Sequence, residues 1–133
     1  LVQVAISAGT IQLLASWIGA NVPVAVVPVV FALVAGIMSF FSSTIGVVCP
    51  TLFPLIPTIA GATGISPLVL FTCTLVGSQS TACSPLSASG SMIVGSCPTQ
   101  KEQNELFEGL ISKAVPISLI FALIVAAILS VLL

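Results

Sequence analysis

Charge is what this sequence most conspicuously lacks. Two lysines and three glutamates make up 4% of its 133 residues, where a soluble domain carries roughly 25%, while 58% are hydrophobic. That balance excludes an ordinary soluble domain and implies an all-α integral membrane protein. All five charges, Lys101, Glu102, Glu105, Glu108 and Lys113, fall in one thirteen-residue window, so residues 1–100 offer no ionisable side chain except cysteine. Histidine is absent, which removes the commonest transition-metal ligand and the side chain that titrates near neutrality. No enzymatic activity and no organic cofactor are expected, and charge chemistry before residue 101 must come from helix dipoles or from an imported ion. A net charge of −1 gives no nucleic-acid footprint.

Other absences narrow the reading further. Cys49, Cys73, Cys83 and Cys97 lack CxxC spacing and sit among apolar or small residues, the pattern of small buried thiols. Neither Asn21 nor Asn104 lies in an Asn-X-Ser/Thr context, so no glycan acceptor is visible. The first residues, LVQVAISAG, contain no basic segment and no initiator Met, and the chain reads as part of a longer protein.

What is present is a series of apolar runs cut by proline, glycine and hydroxyl residues. Residues 1–22 read as the end of a scaffold-type helix and a turn, with Trp17 at an interface and Pro23 placed to begin the next helix. Residues 23–64 read as a re-entrant helical hairpin with its tip at 42–44. The first limb meets Ser39, Ser42, Ser43 and Thr44; the second is punctuated by Pro50, Pro54 and Pro57 and closed by Gly61 and Gly64. Two full spans joined by a polar loop are the other reading, but a tip without charge suits burial better than a solvated turn.

Residues 65–98 read as a discontinuous helix whose unwound loop covers about 78–88. Ser78, Ser80, Thr81, Ser84, Ser87, Ser89 and Ser91 crowd around Pro85 there with no charge among them. Small residues also permit close helix packing, and for Ser89–Ser91 packing is the preferred reading. Taken together, however, the hydroxyls exceed what packing asks for, because a buried polar group costs free energy unless bonded. Residues 99–113 follow as an interfacial amphipathic helix, opened by a Thr99/Glu102 capping box with Leu106, Phe107, Leu110 and Ile111 as its apolar stripe. Residues 114–133 form the final transmembrane helix. The two lysines place the 98–113 connection in the cytoplasm of a multi-pass protein of the plasma (inner) membrane.

In a site without carboxylates, a dehydrated sodium ion must be held by carbonyls and by Ser, Thr, Asn or Gln oxygens, and this chain supplies only those. A broken helix offers carbonyls at the end of one half for a cation and amides at the start of the other for an anion. Gln79, Thr81 and Ser84 are candidate hydrogen-bonding residues, completed by the tip Ser42, Ser43 and Thr44.

SFFSSTIGVVCPTLFPLIP resembles the Ser-Asn-Thr signature hairpin of the divalent anion:sodium symporters of the ion transporter superfamily. STACSPLSASGSMIVG is similar to the unwound loop of their penultimate helix, and its SPLSASG core looks more like the dicarboxylate (malonate-type) carrier branch. The resemblance implies the C-terminal inverted repeat of a secondary transporter, working by an elevator-like shift and usually homodimeric. The signature triplet then falls on Ser42, Ser43 and Thr44, and the loop Thr-Pro on Ser84 and Pro85. Backbone carbonyls around Ser42 and Ser43 and at Ala82, Cys83 and Pro85 would ligate sodium. Ser43 stands where the family has Asn, and Leu86 where it has a second Pro. The implied partners are the lipid bilayer, the N-terminal half of the same transporter and a small organic anion. Proton-coupled or antiport relatives for arsenite or gluconate, and a non-transporting scaffold or channel subunit, are the other readings.

Overall fold

The structure, a computed structural model, describes residues 23–132, and every described element is helical. The scaffold-type helix and turn expected over residues 1–22 lie outside the described residues, apart from Pro23. A 3₁₀ turn (Val24–Val26) leads into α1 (Val27–Phe41). Ser42 and Ser43 are extended, and helix resumes in a π turn (Thr44–Val48), continuing through α2 (Cys49–Leu52), a 3₁₀ turn (Phe53–Leu55) and α3 (Ile56–Thr63). Then come α4 (Pro67–Ser80), a non-helical stretch over 81–87, α5 (Ala88–Gly95), α6 (Gln100–Gly109), a second π turn (Leu110–Ala114) and α7 (Val115–Leu132).

Proline explains the irregular turns. It lacks an N–H and its ring collides with the carbonyl four residues back, so an ordinary α-turn cannot run through it. The chain accommodates this by changing turn type instead of ending the helix. The π turn Thr44–Val48 ends two residues before Pro50, the 3₁₀ turn Phe53–Leu55 contains Pro54, and the π turn Leu110–Ala114 ends two residues before Pro116. In both π turns the bond skips a residue: Cys49 N–H donates to Thr44 O and Val115 N–H to Leu110 O. Gln100–Leu132 is consequently one helical stretch of 33 residues. The boundary expected between 113 and 114 is a change of turn type within it.

Among the described residues, three helical stretches are long and apolar enough to cross a membrane, Val24–Phe41, Thr44–Thr63 and Gln100–Leu132, and the chain is that of a membrane protein. α4, at 14 residues, is only about 21 Å long at ~1.5 Å per residue and falls short of a ~30 Å hydrocarbon core.

The two limbs around Ser42–Ser43 fold back antiparallel. Val27 and Phe31 pack with Ile56, Ile59 and Ala60, while Ala35 packs with Val48 and Leu52. α4 runs parallel to α1, because Leu70 joins Val27 and Phe31 near its start and Thr81 reaches Gly36 near its end. α7 returns antiparallel, with Ala126 against Ala32, Val69 and Cys73. α1 and α4 cross closely at Gly77, where a Cβ would lie 2.1 Å from Ala32 O; only glycine fits. α7 buries Ala122 and Ala126 on its inner face and exposes Ile117, Ile120, Phe121, Ile124, Ile128 and Val131 on the outer one. Small residues inside and branched residues outside suit a helix packed on protein along one side and on lipid along the other.

α6 bears all its charges exposed. Glu102 N–H donates to Thr99 Oγ1 (3.4 Å) while the Thr99 hydroxyl donates to Glu102 Oε2 (2.7 Å), so the expected pair does close the helix start. The Lys101–Glu105 ion pair is 3.8 Å long with both side chains largely exposed, and contributes little.

Candidate functional site

Because α1 and α4 are parallel, the two interruptions of the helical path, at Ser42–Ser43 and at 81–87, come to the same end of the bundle. Each is built by its own hydroxyls. At the hairpin tip, Ser42 Oγ donates to Met38 O (2.6 Å) and thereby satisfies a carbonyl that the end of α1 leaves without a partner. Ser43 Oγ accepts from Gly46 N–H (3.3 Å) and caps the next helical segment. Ser39 Oγ and Thr44 Oγ1 lie 2.9 Å apart across the turn. Adjacent serines thus end one helix and start another.

The second interruption is a chain of tight turns. Ala82 N–H donates to Gln79 O (3.3 Å), Ser84 N–H to Thr81 O (2.9 Å) and Ser87 N–H to Ser84 O (2.9 Å). Pro85 keeps Ser84 out of helical conformation. Ser84 Oγ accepts from Leu86 N–H at 3.2 Å. Ser87 does the most: its hydroxyl lies 2.6 Å from Ala82 O and 2.7 Å from Ser84 O, the acceptors open to its proton, and accepts from Gly90 N–H at 3.2 Å as the N-cap of α5. The loop lies so close on the first turn of α5 that a Cβ at Gly90 would sit 1.9 Å from Ser84 O.

Between the two interruptions lies a cleft of about 220 Å³, lined by Ser42, Ser43, Thr44, Ile45, Gln79, Ala82, Ser87 and Ser89. Thr44 Oγ1 stands 3.5 Å from Ser78 O, the outer limit of a hydrogen bond, and links the tip to α4. The C-terminal ends of α1 and α4 both point towards this region with their negative dipole ends, and the N-terminal ends at Thr44 and Ala88 bring positive ones. The lining contains no ionisable side chain. Hydroxyl, amide and carbonyl oxygens are ligands for a hard cation, whereas a softer transition metal wants nitrogen or sulfur. Among the described residues no group of three His, Cys, Asp or Glu side chains stands together.

Of the residues expected to form a site, Ser42, Ser43, Thr44, Gln79 and Ala82 line the cleft. Thr81, Ser84 and Pro85 are buried and outside its lining. Thr81 Oγ1 donates to Gly36 O (2.6 Å), tying the loop to α1. Cys83 is exposed and outside the lining, and only Cys73 of the four free thiols is fully buried. Ser87 and Ser89 are lining residues that sequence reasoning passed over, the latter in favour of packing. The signal for Ser87 was its place as a serine directly before a helix.

Among the described residues, no buried side-chain oxygen or nitrogen lacks a hydrogen-bond partner. Much of the hydroxyl excess is therefore occupied in shaping the two interruptions. The chain matches no protein-family model, no curated protein and no solved structure.

Proposed function

We propose that this chain is the C-terminal repeat of a secondary active transporter that couples uptake of small dicarboxylates or related organic anions to a cation, sodium foremost. The observation that carries the reading is the uncharged cleft where the hairpin tip and the unwound segment meet. A membrane protein tolerates interrupted helices only where protein or a cavity satisfies the freed backbone, and two interruptions facing each other make a place for a solute.

In this reading the hairpin is re-entrant. The carbonyls around Ser42, Ser43 and Ala82 take the cation, and Thr44, Gln79 and the amides opening α5 orient the anion. Thr81, Ser84 and Pro85 hold the loop in shape. A matching hairpin and broken helix from the N-terminal half of the same transporter would close the site, and hairpin and broken helix would move together in an elevator-like shift within a homodimer. Residues 98–113 would face the cytoplasm.

The test is uptake of labelled succinate or malonate by the full-length protein in vesicles, with and without sodium. Saturable, sodium-dependent uptake is expected, reduced in Thr44→Ala with membrane insertion intact. No uptake across a range of anions and sodium concentrations refutes the reading.

A further inference from the structure

We infer that Ser118, on the final helix, is a positioning residue for the cleft: its hydroxyl fixes where α4 ends and so sets the placement of Gln79 and Ala82 on the cleft wall. A helix leaves its last four carbonyls without partners inside the helix. At a soluble surface water takes them; inside a membrane protein a protein donor or a cavity must do so. Ser80 O, the last carbonyl of α4, receives that donor from Ser118 Oγ, 38 residues further along.

Ser118 has a second acceptor in its own helix, Val115 O at 3.1 Å, and a serine has one hydroxyl proton. Val115 O lies inside the hydrogen-bond ladder of α7, whereas Ser80 O, at the end of α4, has no ladder partner, so the cross-helix bond is the favoured one. Ser130, on the same helix, donates among the described residues only to Ala127 O, at 2.8 Å, as a serine in a membrane helix commonly does. Ser118 is thus set apart by its partner.

The other flank of the interruption is held independently. Thr81 Oγ1 donates to Gly36 O at 2.6 Å, so α7 fixes the last helical carbonyl and α1 fixes the first non-helical side chain. Leu119, next to Ser118, comes within 2.9 Å of a Cβ built at Gly36, which seats α7 against α1 at this level. Ser118 does not line the cleft and acts only through Ser80. Without its hydroxyl the end of α4 loses this tie to α7 and is free to add or lose part of a turn, which displaces Gln79 and Ala82.

Hydrogen–deuterium exchange of the full-length protein in lipid nanodiscs tests this without any substrate. In Ser118→Ala, peptides covering 78–90 should exchange about fivefold faster, the effect of one lost hydrogen bond on local opening. Ser118→Thr, which keeps the hydroxyl, and Ser130→Ala should match wild type. If Ser118→Ala fails to accumulate, Ser118→Cys replaces it, with intermediate exchange expected from its weak S–H donor. Exchange in the Ala or Cys variant equal to that of Ser130→Ala overturns the inference, as does failure of Ser118→Thr to restore protection. Only the uptake arm rests on the carrier reading: there Ser118→Ala should raise KM for the anion severalfold with a smaller change in maximal rate, and Ser118→Thr should restore it. A wild-type protein without uptake removes the carrier reading and leaves the exchange result to decide the role of Ser118.

Discussion

Gly77→Ala puts the bundle geometry to its sharpest test. A Cβ at this position would lie 2.1 Å from Ala32 O and 2.6 Å from Ala32 C and Cα. Those are backbone atoms of α1, so no side chain can swing aside. Ordinary contact begins at 3.4 Å, and 3.4 less 2.1 leaves about 1.3 Å by which α4 and α1 must part. Overpacking of this kind costs about 1–3 kcal/mol. The same displacement acts on the Thr81–Gly36 hydrogen bond, now 2.6 Å. Lengthened by that amount it would exceed hydrogen-bonding range, adding about 1 kcal/mol. A total near 2–4 kcal/mol should appear as a clear drop in thermal midpoint for the purified protein, followed by circular dichroism. Uptake should fall as well, because the same shift opens the 3.5 Å approach of Thr44 to Ser78 O. Gly61→Ala is the control: it lies in α3, its added carbon meets nothing within 4 Å, and its helix should gain up to about 1 kcal/mol. Equal thermal midpoints for the two variants would refute the close crossing of α1 and α4.

Further outcomes follow from the caps and the cleft. Ser87→Ala removes the N-cap of α5 and the donor to Ala82 O and Ser84 O, so a loss of about 1–2 kcal/mol and slower uptake are expected, measured by thermal unfolding and initial rates. Thr99→Ala should fray the start of α6 at a cost of about 1 kcal/mol, seen as faster amide exchange over 99–104 with uptake unchanged; impaired uptake would tie α6 to the cleft. If the cleft is the anion site proposed above, its uncharged lining makes anion binding depend on a coupling cation. Titration calorimetry giving the same anion affinity with and without it would contradict that dependence.

The positions of both interruptions were legible in the sequence because they follow from local chemistry. Ser42 and Ser43 offer hydroxyls that cap helix ends, and Pro85 forbids a helix through Ser84. The expected unwound loop, about 78–88, compares with 81–87 in the structure. Which hydroxyls face the cleft was less legible. In an unwound backbone there is no 3.6-residue period to assign faces, so Thr81 and Ser84 looked equivalent to Gln79, though the former two are buried and Gln79 lines the cleft. Ser89 was indistinguishable from a packing residue until the start of α5 was set against the hairpin tip. The continuity from Gln100 to Leu132 was hidden for another reason. Pro116 signals a helix start by rule, and only the wider π turn before it lets the helix pass through. The pairing of Ser118 with Ser80 spans 38 residues, a separation on which sequence pattern is silent.

The uncharged lining also determines how the cleft responds to acidity. No lining residue gains or loses a proton in the physiological range, and residues 1–100 contain no carboxylate, imidazole or amine side chain. The cleft wall therefore looks the same at pH 5 as at pH 8. On the carrier reading, a pH profile of binding there would record the ionisation of the solute itself, each dicarboxylate following its own second dissociation constant, and a profile common to all solutes would originate in a group outside residues 1–100.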